Sequence, residues 1–255
     1  METLQKLAVP IAIVIAGGMI AASLFFVQSK APANGAQQAV VAEEIRGPQS
    51  DDHIRGNPNA KIVIVEFSDT ECPFCKQFHE TMKRIIDEYG ASGDVAWIYR
   101  HFPIPSLHPK APKQAEALEC AAEQGGNDVF WQYTDLLYAT TNANNSLDSG
   151  VYNVPETAPI GPDGKPYYTQ ATPRSATDAG KLSDMAREIG LDVTRFEECM
   201  SSGRMAERVN ADQAEVVAAG GGGTPHSIII IDGEQIPLEG AQPYDVVKGL
   251  VDSLL

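Results

Sequence analysis

The chain has 255 residues, of which 43% are hydrophobic, and a formal net charge of -15 at neutral pH. This length is enough for one large domain or two small ones, each with a core of its own. So strong a negative charge disfavours nucleic acids and anionic membrane surfaces as partners, because both would repel the chain.

The first feature along the chain is an uncharged apolar segment of 21 residues, Leu7 to Val27, with a lysine on either side. It is long enough to cross the hydrocarbon core of a membrane, and it exceeds the apolar part of most cleaved signal peptides. We therefore interpret residues 1–30 as a single-pass N-terminal anchor, with cleavage after Ala33 as the alternative. In both cases we expect the rest of the chain on the extracytoplasmic side, where disulfides persist.

Residues 31–55 are rich in Ala, Gln, Gly and Pro and have no sustained hydrophobic period. Such a composition is typical of a flexible linker. We expect this segment to let a catalytic domain reach substrates near the membrane.

Residues 56–105 have the pattern of a β-α-β unit. The run IVIVEF, Ile62 to Phe67, is β-branched and typical of a strand buried on both faces. From Pro73 the apolar side chains follow helical spacing until Gly90, a natural stop. The run VAWIY, Val95 to Tyr99, then returns to strand character.

Residues 106–219 are different, because about five helical segments follow one another and most of them end in glycine. This pattern predicts an all-helical domain inserted between two β regions. Within it, residues 142–177 hold five of the 17 prolines together with Asn, Gly and Ser, which predicts a long surface loop.

Residues 220–255 return to strands and end in a helix. Asp232-Gly233 between two apolar runs is a strong hairpin signal, and Pro237 restricts the second run to a sheet edge or its end. A helix begins near Pro243. The fold class is therefore α/β, in the order β-α-β, helical block, β-β-α.

Cys72 and Cys75 stand where the first strand gives way to the first helix. A zinc site would need a second close pair, whereas Cys120 and Cys199 stand alone in separate predicted helices. A purely structural bridge is also unattractive, since closing so short a loop removes little entropy from the unfolded chain.

A redox couple explains these two positions better. The start of a helix presents unpaired N–H groups and a positive dipole end, which favour a thiolate at Cys72. Pro73 suits the first turn, and Cys75, about one turn further, can resolve a mixed disulfide.

The motif EFSDTECPFCKQF, followed much later by GGTPHSIIIIDG, resembles the DsbA-like branch of the thioredoxin superfamily, in particular its membrane-anchored bacterial members. The resemblance covers residues 56–255. It implies a thioredoxin fold interrupted by a helical domain, with Cys72 attacking the substrate and Cys75 resolving. It implies no organic cofactor and no metal, because the cysteine pair itself carries the electrons.

The resemblance also assigns roles to residues around the couple. Glu66 falls where the family keeps a buried acid, which can exchange a proton with Cys75; the alternative is a strand-end glutamate that faces water. Pro225 corresponds to the superfamily's cis-proline. Its cis form would leave the backbone of Thr224 free to pair with an extended substrate peptide.

Pro73 and Phe74, between the cysteines, are expected to contact the substrate and to tune the reduction potential. In strongly oxidising relatives a histidine precedes the second cysteine, whereas this chain has Phe74 there. We therefore predict a less extreme thiol pKa and a less oxidising couple than in those relatives. His79, two helical turns from Cys72, is interpreted as a surface residue.

The remaining candidates lie in or near the predicted helical domain. We expect Cys120 and Cys199 to form a structural disulfide, with a second redox relay or two unpaired thiols as alternatives. The aromatic residues of the second helix are interpreted as core: Phe130, Trp131 and Tyr133. His101 and His108 follow the second strand, and we interpret them as ordinary loop residues rather than as the lining of a groove.

The sequence thus predicts a membrane-anchored thiol:disulfide oxidoreductase, most simply an oxidase that introduces disulfides into exported proteins with free thiols. A membrane redox partner would reoxidise the couple. The alternatives are a reductase running the same exchange backwards, for example in cytochrome maturation, and a peptide-binding chaperone. We find no separate dimerisation segment between the linker and the first strand. This favours a monomer and makes an isomerase the less favoured activity.

Overall fold

The computed structural model describes residues 43–140 and 176–255. The predicted anchor, the first part of the predicted linker and almost all of the predicted 142–177 loop lie outside these residues, and they stay predictions. Within the described part of the chain, no helix is both long enough and apolar enough to cross a membrane.

Five strands form one mixed sheet in the order β1-β3-β2-β4-β5. They are β1 (His53–Gly56), β2 (Ile62–Ser68), β3 (Val95–His101), β4 (His226–Ile231) and β5 (Glu234–Glu239). The central pair, β2 and β3, is parallel, and the other three pairs are antiparallel. A parallel pair needs a crossover connection, which the helix between β2 and β3 supplies.

The helices in the described residues are α1 (Pro73–Tyr89), α2 (Ala111–Thr140), α3 (Ala176–Glu188), α4 (Val193–Ser202), α5 (Ala206–Ala218) and α6 (Tyr244–Leu254). Gly126 interrupts α2 with a non-helical φ of 68° and ψ of -153°. Because glycine adopts a positive φ without a steric penalty, α2 bends there into two halves. The described part of the insertion thus contains five helical segments, the two halves of α2 together with α3, α4 and α5, as the sequence predicts.

Side chains on β2 alternate between the two faces of the sheet, as strand geometry requires. Ile62 and Ile64 pack in the core that contains α1, α6 and most of the helical domain. Val63 and Val65 face the opposite side, where Val216 of α5 packs. The same alternation turns Glu66 toward α1, the helix that starts after Cys72.

The C-terminal hairpin matches the sequence prediction. Asp232 and Gly233 both have positive φ, 51° and 84°, which is the geometry of the tight turn that this dipeptide favours. Pro237 lies on β5, the edge strand of the sheet, where a proline is tolerated.

The prediction of a flexible linker up to residue 55 is wrong for its second part. Ile45 is buried, and residues 53–56 form β1, paired with β3. Arg100 holds this segment through Asp52, with nitrogen–oxygen distances of 2.8 and 2.9 Å. A short polar strand held by a distant arginine carries no hydrophobic alternation, so the sequence pattern does not reveal it.

Candidate functional site

Cys72 occupies the cap position before α1, and Pro73 follows at the first helical turn. The pKa of Cys72 is lowered from 9.0 to about 6 by hydrogen bonding from the Cys75 thiol, from Thr224 and from first-turn backbone N–H groups. Burial opposes this shift but does not cancel it. Cys72 is therefore the sulfur that ionises near neutral pH.

Cys75 lies one turn into α1 and is fully buried. Burial raises its pKa well above 9.0, and hydrogen bonding to Cys72 together with the negative charges of Cys72 and Glu66 adds to the rise. The two sulfurs are not bonded to each other, so the site is in its dithiol form. A reactive first cysteine and a protonated second one are the division of labour that thiol–disulfide exchange requires.

Glu66 is fully buried beneath α1. Its Oε1 accepts a hydrogen bond of 2.7 Å from the Ser68 hydroxyl, and its Oε2 accepts one of 2.9 Å from the Trp97 indole. Burial raises the pKa of Glu66 to about 7, although the two hydrogen bonds lower it, and the negative charge of Cys72 adds to the rise. The alternative in which Glu66 faces water is therefore wrong.

Ser68 connects Glu66 to the second cysteine and to the helical domain. Its hydroxyl forms a side-chain hydrogen bond with Cys75 and lies 3.0 Å from the Tyr138 hydroxyl. Neither Ser68 nor Tyr138 was predicted from the sequence to belong to the site. Ser68 could have been noticed, since it lies on the same strand face as Glu66, whereas Tyr138 comes from α2 and carries no signal in the sequence.

The second half of the fold brings Thr224 and Pro225 to the couple. The peptide bond between them is cis, and the Thr224 carbonyl oxygen lies 3.4 Å from Cys72 Sγ. Phe74, on the other side of the couple, exposes 60% of its surface. The structure thus places all the predicted residues of the site around one sulfur pair.

Comparison with known proteins agrees with this geometry. Residues 49–253 match the protein-family model described as Thioredoxin. The chain belongs to the thioredoxin family.

This thioredoxin-family chain is DsbA-like, since it is similar to solved structures of DsbA-type proteins. The crystal structure of DsbA2 from Pseudomonas aeruginosa is 25% identical with a TM-score of 0.57, over 82% of this chain and 97% of that chain. DsbA1 (alpha-DsbA1) of Wolbachia pipientis gives 20% identity and a TM-score of 0.60, over 81% and 92%. Oxidised BdbD of Bacillus subtilis gives 19% and 0.60, over 84% and 97%. The first of these likenesses supports thiol–disulfide oxidoreductase activity in general, and the other two show the fold.

Curated relatives of the thioredoxin-family chain are longer proteins. A Na(+)/H(+) antiporter NhaA of Salinispora tropica is 36% identical over 105 residues, 41% of this chain and 15% of the antiporter. That of Herminiimonas arsenicoxydans is 30% identical over 174 residues, 68% of this chain and 21% of the antiporter. The chain spans about a fifth or less of the length of these relatives, so their name describes the relatives and not this chain.

His79 is not a surface residue, contrary to the sequence interpretation. It is 1% exposed, its Nε2 lies 2.7 Å from Asp135 Oδ1, and its ring packs against Trp97. Burial lowers the pKa of His79 against the opposing effect of Asp135. The surface position was inferred from the spacing between His79 and Cys72, and that spacing gives no information about Asp135, which comes from α2.

Cys120 of α2 and Cys199 of α4 form a disulfide across 79 residues of sequence. They are the structural pair expected for the helical domain. The three aromatic residues interpreted as core are all buried there: Phe130, Trp131 and Tyr133. In the described parts of the chain, no group of three or more His, Cys, Asp or Glu side chains is arranged to hold a metal ion.

Proposed function

We propose that this chain is a disulfide-forming oxidase that acts on exported proteins through the Cys72–Cys75 couple. The observation that carries the proposal is the opposite shift of the two thiol pKa values, down for Cys72 and up for Cys75. A stabilised Cys72 thiolate favours the reduced couple over the disulfide. A couple that is stable when reduced takes electrons from substrate thiols, so it acts as an oxidant.

The reaction begins with the oxidised couple. A substrate thiolate attacks Sγ of Cys72, the Cys72–Cys75 bond breaks, and the electron pair leaves on Cys75. A second substrate thiolate then attacks the substrate sulfur of the mixed disulfide, and Cys72 leaves as a stabilised thiolate. Two substrate thiols have become one disulfide, and the couple has gained two electrons.

Glu66 supports this reaction as the proton donor of Cys75. The Cys75 sulfur is buried and has a high pKa, so it leaves well only if a proton reaches it. A carboxyl group with a pKa of about 7 still holds a proton in part of the molecules at neutral pH. Ser68, which contacts both Glu66 and Cys75, gives the proton a short path.

Substrate selection is proposed to be loose. The backbone of Thr224 beside Pro225 would pair with an extended peptide by strand addition, which reads main-chain groups rather than side chains. Pro73 and the exposed Phe74 would add apolar contact. This mode suits unfolded or folding exported proteins with free thiols, and it requires no cofactor beyond the couple itself.

The proposal includes a place for the protein as well. Residues 1–30 would anchor a monomer in the cytoplasmic membrane, with the couple on the extracytoplasmic side. A membrane redox partner would then accept the two electrons and regenerate the disulfide.

A reductase is the second candidate, and Phe74 is the observation in its favour. Phe74 stands where strongly oxidising relatives place a histidine, so one stabilising interaction of the Cys72 thiolate is absent. A peptide-binding chaperone would use the same exposed surface without needing the sulfurs.

Oxidative refolding separates these functions. The oxidised full chain should convert a reduced, unfolded two-cysteine protein to its disulfide form, Cys72→Ser should abolish the conversion, and Cys75→Ser should accumulate a mixed disulfide at Cys72. Reduction of an insulin-like disulfide without net oxidation would identify a reductase. Refolding assistance that survives in Cys72→Ser would identify a chaperone.

A further inference from the structure

Asp69 is a buried carboxylate in the turn between β2 and α1, 1% exposed. Its Oδ1 accepts the backbone N–H of Glu71 at 2.8 Å, and its Oδ2 accepts that of Ile104 at 2.7 Å. The same Oδ2 lies 2.9 Å from Nδ1 of His108. One carboxylate therefore fastens the 102–110 loop, which follows β3, to the turn that precedes Cys72.

The main chain of Asp69 also touches both cysteines. Its N–H donates to Cys75 Sγ at 3.4 Å, and its carbonyl oxygen accepts the N–H of Cys72 at 3.1 Å. His108 thus belongs to a buried cluster that is built around the couple, although it lies 36 positions after Cys72 in the sequence.

We propose that His108, held by Asp69, is a positioning residue that stabilises the Cys72 thiolate and so raises the reduction potential of the couple. The inference deepens the proposed function, on which it rests for the role of Cys72 as the reactive sulfur. Strongly oxidising relatives have a histidine at the position of Phe74, between the two cysteines. In this chain His108, which lies in a distant loop, supplies part of the positive charge that such a histidine would supply.

The electrostatics around His108 favour its protonated form. The hydrogen bond with Asp69 raises the pKa of His108 most, burial opposes it, and the negative charges of Asp69, Cys72 and Glu71 raise it further. Coupling between two charges is reciprocal, so a thiolate that favours the imidazolium is favoured by it to the same degree.

Besides Asp69, two charged groups face His108 and Cys72. Glu71 is buried beside Asp69, and burial raises its pKa to about 7. Lys110 follows His108 by two positions, and its charge opposes that rise. Because Glu71 becomes negative as the pH increases through 7, it strengthens the hold on the His108 proton but repels the Cys72 thiolate.

The first test needs no variant. Nuclear magnetic resonance titration of the full chain should give a higher pKa for His108 in the dithiol form than in the disulfide form, since only the dithiol form carries a charge on Cys72. His79 is the internal control, because its imidazole lies against Asp135 and its pKa is set by burial and by that carboxylate. The pKa of His79 should be the same in the two redox forms. An identical His108 titration in the two forms overturns the proposal.

The second test is His108→Asn, which keeps a donor near Asp69 but carries no charge. We expect the Cys72 pKa to rise and the equilibrium with glutathione at pH 7 to shift toward the disulfide form. A rise of one unit from a pKa of about 6 gives a shift of about fivefold, or about 20 mV. His101→Asn, which removes another buried imidazole beside a carboxylate, should leave both quantities unchanged.

Equal values in the His108 and His101 variants contradict the proposal. If His108→Asn does not fold, the redox-dependent titration of the wild type decides. This proposal and the oxidase proposal can fail separately. A low reduction potential of the wild type refutes the oxidase, whereas the coupling of His108 to Cys72 is measured as a difference between the wild type and the variant or between the two redox forms.

Discussion

Cys72 and Cys75 are chemically unequal although only two residues separate them. Cys72 lies at the open end of α1, where N–H groups surround its sulfur, and Cys75 lies in the core one turn later. A hydrogen bond with the Thr224 side chain lowers the pKa of Cys72 further. The inequality therefore comes from the helix start and from chain segments far away in sequence, and it can be altered residue by residue.

Phe74→His tests the role of the residue between the cysteines. Phe74 is 60% exposed, so the substitution should not disturb the core. An imidazolium near the Cys72 sulfur should lower its pKa further and shift the glutathione equilibrium severalfold toward the dithiol form. Thiolate absorbance against pH and glutathione equilibration measure the two effects. Phe74→Asn, polar but uncharged, should show neither, and equal shifts in both variants would argue against a charge effect.

Glu66→Gln tests the buried acid through stability. The folded pKa of Glu66 is about 7 and its ordinary value is 4.5, so its contribution to stability is fully present below pH 4.5 and is lost as the pH rises through 7. Glutamine does not ionise. We therefore compare the free energy of unfolding of the variant with that of the wild type at each pH. The difference in favour of the variant should be larger at pH 8 than at pH 5 by roughly 2–3 kcal/mol.

Urea denaturation of the reduced forms at these two pH values measures this difference. Glu80→Gln, an exposed position on the same helix, is the matched control and should show no comparable change. A Glu66→Gln effect that is the same at both pH values would mean that Glu66 ionises normally in the folded protein.

At the scale of elements, Arg100 of β3 ties the segment before β1 to the sheet. The side chain is fully buried and forms a two-point ion pair with Asp52. It also donates to the backbone carbonyl oxygens of Arg46 and Gly47. The segment 46–52 has few apolar side chains of its own, so polar contacts hold it: those of Arg100, the ion pairs of Arg46 with Asp212 and Glu215, and that of Asp51 with Arg208.

Arg100→Leu should lower the free energy of unfolding by about 3 to 5 kcal/mol, because it leaves the Asp52 carboxylate buried without its partner. Chemical denaturation measures the loss. Arg204→Leu removes a surface ion pair with Glu123 and should cost less than about 1 kcal/mol. Similar losses in the two variants would contradict the structural role of Arg100.

The Cys120–Cys199 disulfide joins α2 and α4, which lie 79 residues apart along the chain at the bridged positions. Replacing both residues by Ala should lower stability by roughly 4 kcal/mol, since the unfolded chain regains the entropy that the bridge removes. Thiol exchange by Cys72 should continue at temperatures where the variant is folded. Loss of exchange in a folded double variant would instead make the bridge a second redox relay.

At the scale of the whole molecule, features encoded by neighbouring residues could be predicted from sequence. The β-α-β unit, the helical insertion and the Asp232-Gly233 hairpin each rest on periodicity or turn chemistry within a few residues. The positions of Cys72 and Pro225 follow from motifs. Even the burial of Glu66 follows from strand alternation once Ile62 and Ile64 are assigned to the core.

Features made by distant residues could not be predicted in the same way. The segment before β1 depends on distant charged partners such as Arg100 and Arg208, the burial of His79 on Asp135, and the environment of Asp69 on His108. In each case a polar side chain finds its partner on another element, and polar residues in isolation are typical of surfaces. The fold brings these partners together, so the sequence analysis assigned the residues to a linker, a surface and an ordinary loop.

In the proposed function, a stabilised Cys72 thiolate makes this couple an oxidant. The reduction potential of the full chain, obtained by equilibration in glutathione buffers with trapping of Cys72, tests it most directly. A value near or above roughly -180 mV would place the couple with disulfide donors, as the account predicts. A value near about -270 mV would place it with thioredoxin-like reductants and contradict the oxidase.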